Sequence, residues 1–265
     1  MTDDERGQVR NEDFRQALLG THPALVRTRR VMRHVPSDPR CQVCLAPQGG
    51  IGGPISQLLG FGRYPRNPQL CNNCYRQARQ HPGGAEIDIS VLFVDVRGST
   101  GLAERIGAGE FSRRLNAYYS AATAAIRRPG GIVDKLLGDG VMAIFIPGFV
   151  PGGSHATHAV AAARQILRDV ELPVGIGVHT GEAWVGFTGG EEEVTEFTAL
   201  GDAVNTASRL GSEAGAGELL VSTAAARAAG IPTDDLQPRR LELRGRAEAL
   251  DAWLESVSPE TAARA

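Results

Sequence analysis

Residues 87–96 read IDISVLFVDV, an almost continuous apolar run with the acidic Asp95 near its carboxyl end. Such a run predicts a strand that is buried on both faces. A strand buried in this way needs other strands beside it and helices packed across it. With 265 residues, 42% of them hydrophobic, the chain is long enough for one such core and a smaller additional unit.

The residues after this strand alternate between helical and strand patterns. Helices are predicted at 98–128, 155–170 and 201–214. Strand pairs are predicted at 132–146 with a hairpin turn at Asp139-Gly140, at 172–189 with a turn from His179 to Glu182, and at 236–256. This order predicts an α/β fold class, an α+β sandwich with the ferredoxin-like split βαβ arrangement and its helices packed on one face.

All four cysteines lie in one short stretch, as C-x-x-C pairs formed by Cys41 with Cys44 and by Cys71 with Cys74. Disulfides in a secreted protein are usually spread along the chain, and the polar N-terminus has no signal-peptide pattern. The cysteines are therefore interpreted as metal ligands. Four thiolates suit tetrahedral Zn²⁺, and an iron–sulfur cluster or metal-free redox thiols are the alternatives. The segment can serve as a structural clip, a redox sensor or a docking site for a regulatory partner.

These patterns predict an N-terminal helical segment at 1–40, the four-cysteine segment at 41–80, a linker at 81–86 and an α/β domain at 87–256. The first segment has a helical pattern at 12–33 that is interrupted near Gly20, and its arginine-rich face is interpreted as the solvated side of a helix docked on its neighbour. The net charge of −2 gives no reason to expect nucleic acid or an anionic membrane as a partner. No apolar run approaches the roughly 20 residues of a membrane span, so a cytoplasmic location is expected.

Two acidic residues occupy positions suited to metal-bound phosphate chemistry. Asp95 lies at the end of the buried strand, just before a Gly-Ser-Thr turn where N–H groups of a helix start can face phosphate oxygens. Asp139 approaches Asp95 if the hairpin lies beside that strand. Adjacent carboxylates repel each other, and a pair of divalent metals that removes this repulsion is common in phosphoryl and nucleotidyl transfer. The alternatives are a helix cap for Asp95 and a plain turn residue for Asp139.

Three further polar residues lie near these motifs. Asn205 and Arg209 are four positions apart in a predicted helix and share one face, where an amide and a guanidinium suit an anionic substrate. Asn205 fits equally well as an interior polar residue. Lys135 lies on the strand that leads into the hairpin turn, where its side chain is either solvated or functional.

The motifs FVDVRGST, KLLGDGVMAIF and FTALGDAVNTASRL, in this order and spacing, resemble the catalytic domain of the class III adenylyl/guanylyl cyclases. The resemblance covers about residues 87–254, nearly two thirds of the chain. It implies a lyase in which the 3′-hydroxyl of a nucleoside triphosphate attacks the α-phosphate, so that a cyclic nucleotide and pyrophosphate form. It also implies two Mg²⁺ or Mn²⁺ ions in each active site.

The resemblance assigns roles to individual positions. Asp95, the carbonyl of Val96 and Asp139 match the metal ligands, and Lys135 and Thr198 match the purine-reading positions. Asn205 matches the residue that positions the ribose, and Arg209 matches the residue that stabilises charge on the reacting phosphate. Arg244, with Arg246 as its competitor, matches the residue that binds the terminal phosphates. Ser99 stands where the family often has an aromatic residue, which removes bulk but no catalytic group. No histidine is assigned a catalytic role, and no protein general base is expected.

The two purine-reading positions favour ATP. Lys135 can donate to N1 of adenine and Thr198 can accept from its exocyclic amine, whereas guanine presents the reverse pattern. Threonine at this position, where many members have aspartate, resembles the subgroup that tends to respond to bicarbonate. The prediction is an adenylyl cyclase, and the alternatives are a guanylyl cyclase or a non-catalytic nucleotide-binding signalling scaffold.

The family forms its active site between two catalytic domains, and this chain has one such domain with the residues of both halves. The resemblance therefore implies a homodimer with two equivalent sites. Asp139 then serves one site while Lys135 of the same chain serves the other. The N-terminal four-cysteine segment is expected to regulate the enzyme.

Overall fold

The computed structural model describes residues 3–65, 67–80, 83–188, 196–234, 236–242 and 249–256. Contacts between residues divide the chain into two compact units. The first contains Met1–Ile87, Pro147–Phe149 and Trp184–Ala199, and the second contains Asp88–Ile146, Val150–Ala183 and Leu200–Ala265. The N-terminal segments thus share a unit with two later stretches of chain. The four-part division of the chain remains a prediction.

Helices and strands alternate along the described residues. The helices are α1 Asp3–Leu19, α2 Pro23–Met32, α3 Gly52–Ser56, followed by a π-helical turn at Gln57–Phe61, α4 Asn72–Gln80, α5 Ser99–Ile106, α6 Ala108–Arg127, α7 His155–Asp169, α8 Asp202–Glu213 and α9 Thr223–Ala229. The strands are β1 Arg63–Tyr64, β2 Asn67–Cys71, β3 Gly84–Val96, β4 Ile132–Leu137, β5 Gly140–Phe145, β6 Val174–Thr188, β7 Glu196–Leu200, β8 Glu218–Ser222, β9 Gln237–Leu241 and β10 Leu250–Ser256. Strand β3 begins at Gly84, inside the stretch predicted as a linker, because the buried Ala85 and Ile87 continue its alternating pattern.

The main sheet has the strand order β4-β5-β3-β6-β8-β10-β9, with β7 paired to β6. Strand β3 lies inside this sheet, antiparallel to β5, and Ile89, Val91 and Leu92 are fully buried. The predicted hairpin is present as β4 and β5, which pair antiparallel. Its two-residue turn is Gly138-Asp139, with Gly138 at φ +68°, and not the predicted Asp139-Gly140, because Gly140 already pairs with Leu137 as the first residue of β5. A mixed sheet covered by helices confirms the predicted α/β fold class.

Residues 174–188 form one long strand, so the prediction of two strands joined between His179 and Glu182 was wrong. The imidazole Nδ1 of His179 lies 2.8 Å from Ser222 Oγ on β8, and Thr180 Oγ1 lies 2.6 Å from Ser90 Oγ on β3. These buried hydrogen bonds to both neighbouring strands keep the segment extended.

Helices cover both faces of the sheet, whereas the sequence predicted one. On β8, Leu219 and Val221 belong to the core that includes α6, α7 and α9, while Leu220 packs with Leu210 of α8 on the opposite face. Gly177 of β6 permits this second layer, because a Cβ there would meet the backbone nitrogen of Gly211 at 2.2 Å. Helix α8 therefore packs directly on the sheet backbone.

His155, at the start of α7, couples folding stability to pH. Its Nδ1 lies 2.9 Å from Ser90 Oγ and its Nε2 lies 3.6 Å from Asp88 Oδ2. Burial lowers the pKa of His155, and the opposing effect of Asp88 is smaller. As the pH falls below about 6.5, the unfolded chain therefore binds a proton before the folded chain does. This contribution to stability is present above that pH and is lost as the pH falls from there through the lower pKa of the folded state.

We expect His155→Gln to reduce the loss of thermal stability that acid causes. The amide keeps a hydrogen-bonding group near Ser90 but does not titrate. Thermal unfolding of the wild type and the variant at about pH 7.5 and about pH 5.5 measures the difference. His22→Gln, a change at a histidine in unit 1, is the control. An equal fall in Tm for wild type and His155→Gln would show that His155 does not carry this dependence.

Candidate active site

Asp95 and Asp139 come from neighbouring strands. Asp95, near the end of β3, pairs in register with Gly140, the first residue of β5, and Asp139 precedes Gly140 in the turn. Gly140 allows this approach, since a Cβ there would meet the Val94 carbonyl oxygen at 3.2 Å and Asp95 Oδ1 at 3.7 Å. The hairpin register thus brings two carboxylates together at one edge of the sheet.

The charge state of Asp95 reflects this crowding. Burial raises the pKa of Asp95 most, Arg97 opposes that rise, and the negative charge of Asp139 raises it further. Arg97 lies 3.0 Å from Asp95 Oδ2. A partly buried pair of acids compensated by one guanidinium is an arrangement that a divalent cation can stabilise.

Arg97 is a residue whose role the sequence did not reveal. Its backbone N–H donates to the Pro173 carbonyl at 2.6 Å, and its guanidinium donates to the carbonyls of Gly211 and Ser212 at the end of α8. Gly175 makes room for it, because a Cβ there would meet Arg97 Nε at 2.8 Å. Arg97 therefore ties the end of β3 to α8. Its position beside Asp95 in the sequence was the available signal.

Two tyrosines of α6 support the acidic pair. The Tyr119 hydroxyl donates to the Gly138 carbonyl and so fixes the turn that carries Asp139. Tyr118 is 2% exposed, and burial, followed by the charges of Tyr119, Asp95 and Asp139, raises its pKa. The sequence patterns assigned no role to Tyr119.

Asn205 and Arg209 lie on the accessible side of α8. The buried side of this helix is formed by Ala203, Thr206, Ala207 and Leu210. Asn205 is exposed, so it is not an interior polar residue, and Arg209 is half-buried. Within the described residues, neither side chain makes a hydrogen bond or an ion pair. Both are therefore available to a ligand.

The remaining predicted residues come from other parts of the chain, or from the strand that leads into the hairpin turn. Lys135 is half-buried on β4 opposite Met142, just after a bulge in that strand. Thr198 on β7 belongs to the other compact unit, is 2% exposed, and its hydroxyl donates to the Ala199 carbonyl at 3.5 Å. Arg244 and its competitor Arg246 lie outside the described residues.

The four cysteines form one compact cluster. One ligand atom from each of Cys41, Cys44, Cys71 and Cys74 lies within 4.8 Å of the others, and the Cys44 and Cys71 sulfurs are 3.7 Å apart. Backbone N–H groups point at two sulfurs, from Cys71 to Cys41 Sγ at 3.3 Å and from Cys74 to Cys71 Sγ at 3.4 Å. Such N–H donors favour the thiolate form, which is the form that binds metals.

Arg29 of α2 interacts with this cluster. The arginine-rich face was predicted to be solvated, and Arg29 is the member of it that is not. Burial lowers the pKa of Arg29 and Arg33 adds to this effect, while the charges of Cys44 and Cys41 oppose it. Its guanidinium donates to the Gly148 carbonyl. Arg29 thus links the cysteine cluster to the loop that follows β5.

A chain of aromatic contacts connects the N-terminal segments to β6 and β7 within the first compact unit. The Phe187 ring centroid lies 6.4 Å from that of Phe14 on α1, 6.3 Å from that of Tyr75 on α4 and 5.1 Å from that of Phe197 on β7. Phe197 directly precedes Thr198. The sequence contained no signal for this packing, because the partners are far apart along the chain.

No helix among the described residues has the length and apolar character of a membrane span. The family profile described as "Adenylate and Guanylate cyclase catalytic domain" matches residues 85–256. An adenylate cyclase of Anabaena cylindrica is 34% identical over 133 residues, which are 46% of this chain and 26% of that protein. The terminal-differentiation-specific adenylate cyclase of Dictyostelium discoideum is 35% identical over 135 residues, 46% of this chain and 6% of that protein. The chain thus spans only a small part of these relatives.

Two solved structures share the fold over most of their length. The guanylyl cyclase Cya2 superposes with a TM-score of 0.60 at 28% identity, covering 66% of this chain and 96% of that one. The adenylyl cyclase CyaB from P. aeruginosa superposes with a TM-score of 0.57 at 26% identity, covering 66% and 97%. The similarity therefore includes proteins named for either purine.

Proposed function

We propose an enzymatic function from one premise: the chain belongs to the class III family of adenylate and guanylate cyclase catalytic domains. The function is conversion of ATP to 3′,5′-cyclic AMP and pyrophosphate. The observation that carries it is the pairing of Asp95 with Gly140, which brings Asp95 and Asp139 together at the sheet edge. Asn205 and Arg209, exposed or half-exposed on α8 without protein partners in the described part of the chain, supply the remaining polar groups.

The acidic pair suits two Mg²⁺ or Mn²⁺ ions. Carboxylate and carbonyl oxygens are the ligands these cations prefer, and Asp95, Asp139 and the carbonyl of Val96 would provide them. The raised pKa of Asp95 fits this assignment, because it reflects burial and a neighbouring negative charge that a cation would offset. When bound, the ions lower the pKa of the attacking 3′-hydroxyl and neutralise phosphate charge.

The side chains of the protein orient the substrate and stabilise charge. Arg209 offsets the charge that develops on the α-phosphoryl oxygens, since a guanidinium presents a planar fork of donors to phosphate. Asn205 holds the ribose so that its 3′-hydroxyl faces the phosphorus in line. Arg97 and Tyr119 are positioning residues: the first holds Asp95 and the second holds the turn of Asp139.

Preference for adenine rests on Lys135 and Thr198. A lysine donates to N1 of adenine, and a hydroxyl can accept from the exocyclic amine, although it can also donate. Because relatives are named both adenylate and guanylyl cyclases, this residue pair is the basis of the choice. A guanylyl cyclase and a non-catalytic nucleotide-binding scaffold are the competing functions.

A homodimer supplies both halves of each site. Metals would bind to Asp95 and Asp139 of one chain, while Lys135, Thr198, Asn205 and Arg209 of the other contact base, ribose and phosphate. One chain with both sets of residues fits an isologous dimer with two equivalent sites. Asp139 and Lys135, close together in the β4–β5 hairpin, would then serve different sites.

Incubation of the purified chain with ATP or GTP and Mn²⁺, followed by chromatographic identification of the product, tests this function. We expect cyclic AMP from ATP and at least about tenfold less cyclic GMP from GTP, which corresponds to about 1.4 kcal/mol of discrimination. Cyclic GMP as the main product would identify a guanylyl cyclase. If the protein binds nucleotide but forms neither cyclic AMP nor cyclic GMP, the result would favour the non-catalytic scaffold.

We also propose that the four cysteines bind one Zn²⁺ ion and that the N-terminal segments regulate the cyclase. Zn–S bonds are about 2.3 Å long, so two sulfurs on one tetrahedral ion lie about 3.8 Å apart. The 3.7 Å between the Cys44 and Cys71 sulfurs fits this value. All four ligand sulfurs lie within 4.8 Å of one another, whereas thiolates on different irons of a cluster lie farther apart, which disfavours iron–sulfur. The contacts from Phe14 and Tyr75 through Phe187 to Phe197, beside Thr198, support the regulatory role.

We expect one zinc per chain in the purified protein and its loss in Cys44→Ser. Removing one thiolate leaves three ligands and weakens the site, so Tm should fall with the zinc content. Elemental analysis, the visible spectrum and thermal unfolding are the measurements, and His34→Ala, an exposed histidine outside the cluster, is the control. Brown protein that absorbs near 400 nm and contains sulfide would show that the cysteines bind an iron–sulfur cluster and not zinc.

A further inference from the structure

The loop between the two cysteine pairs exposes an apolar ridge. The ridge consists of Ile51, Ile55, Leu58 and Leu59, which are 89%, 61%, 88% and 65% exposed. They lie on or next to α3 and its π-helical turn at positions i, i+4, i+7 and i+8, which is the spacing of one helix side. Four large aliphatic side chains this exposed within nine positions are unusual for a surface that meets only water.

The opposite side of this helix is fixed against the protein. Gly52 and Ser56 are buried, and a Cβ on Gly52 would meet Val35 Cγ1 at 2.8 Å and Pro47 Cβ at 2.9 Å. The helix therefore cannot rotate its apolar side inward without losing this packing. The ridge is an outward-facing feature of the folded segment.

The N-terminal segment that contains the ridge is basic in sequence, although the whole chain is slightly acidic. Residues 11–80 contain ten arginines and three acidic residues, against a net charge of −2 for the complete chain. Arg27, Arg30, Arg33 and Arg63 are exposed. The total charge had indicated no anionic partner, but it conceals a positive N-terminal segment.

We propose that the ridge docks the protein on an anionic lipid bilayer. Residues 50–62 contain no charged side chain, so the ridge can enter the boundary between headgroups and acyl chains. Ile51 and Leu58 are nearly nine tenths exposed and protrude from the surface, and a bilayer accepts protruding aliphatic groups. Exposed arginines of the same segment can pair with anionic headgroups, and this combination of an apolar and a basic signal is what stable attachment requires.

Sedimentation of the full chain with large vesicles tests the proposal. We expect binding to vesicles of phosphatidylcholine with phosphatidylglycerol, weaker binding to phosphatidylcholine alone, and release as salt rises. Leu58→Gln should lower the affinity about tenfold or more, since each buried leucine contributes substantially to partitioning. Val26→Gln, at an exposed aliphatic residue of α2 outside the ridge, should leave it unchanged, and Arg63→Gln should lower it only on anionic vesicles.

Metal content and thermal stability show whether Leu58→Gln still folds like the wild type. Metal content and Tm of Leu58→Gln should match those of the wild type, because this side chain is exposed and has no packing to lose. The proposal is overturned if anionic vesicles do not bind the wild type, or if Leu58→Gln binds them equally well. Light scattering without lipid that shows higher oligomers lost in Leu58→Gln would instead assign the ridge to contacts between copies of this chain.

Discussion

Asp139→Asn is expected to abolish cyclic nucleotide formation while the chain still folds and dimerises. The amide has the shape of the carboxylate but lacks the charge that would hold a divalent cation beside Asp95. We expect a loss of about 4 kcal/mol of transition-state stabilisation, corresponding to roughly a thousandfold in rate. The fold should persist because Asp139 is the second residue of the Gly138-Asp139 turn, whose positive φ falls on Gly138, and asparagine is as well suited to turns as aspartate.

The measurement is cyclic AMP production at saturating ATP and Mn²⁺. Asp251→Asn, which changes an exposed aspartate on β10, is the matched control and should keep full activity. Without divalent cations, Asp139→Asn should be as stable as the wild type or slightly more stable, because the variant removes a negative charge that acts on Asp95. Activity within a few-fold of the wild type would remove Asp139 from the catalytic centre.

Arg209→Ala should lower kcat by about 10² to 10³ with a smaller change in KM. The guanidinium is assigned to charge that develops in the transition state, and removing one such donor typically has this effect. Arg209 is half-buried and makes no ion pair within the described residues, so its loss leaves no partner uncompensated. Alanine is a strong helix former, so α8 should remain intact.

Arg209→Lys is expected to recover part of the rate, because a lysine keeps the charge but not the planar fork of donors. Arg227→Ala, in the last turn of α9, serves as the control on an exposed helical arginine. Steady-state kinetics with ATP separates the two parameters. A raised KM with unchanged kcat for Arg209→Ala would assign the residue to ground-state binding.

The local patterns predicted the elements that carry the acidic pair. The apolar run predicted a buried strand ending near Asp95, and Asp139-Gly140 predicted a hairpin, whose observed turn, Gly138-Asp139, lies one residue earlier. Both follow from short-range rules, since the side-chain period of a strand and the backbone of a two-residue turn are fixed within a few residues. The helix spacing of Asn205 and Arg209 was predictable for the same reason.

Tertiary packing decided what the sequence could not reveal. A turn was predicted from His179 to Glu182, yet β6 continues through it because its neighbours on each side hold it extended, and Gly177 serves the approach of α8. The hydrogen bonds of Arg97 to the end of α8 join residues more than a hundred positions apart. No local pattern encodes such partners.

The N-terminal segments show the same limit. Their arginines were assigned to solvent, whereas Arg29 interacts with the cysteine cluster and donates to Gly148. The contact of Phe14 with Phe187 likewise depends on where the chain returns in space. Arg244, proposed for the terminal phosphates, lies outside the described residues and stays a prediction.

Combining two inactive variants in one dimer is the most direct test of the shared active site. It asks whether the aspartates of one chain and helix α8 of the other form each active site together. Asp139→Asn and Asn205→Ala are co-expressed with different tags, and heterodimers are purified by both tags. Each heterodimer should retain one intact site of two, so about half of the wild-type rate should return. Heterodimers that form in full yield yet stay as inactive as either parent would mean that these residues do not work together across two subunits.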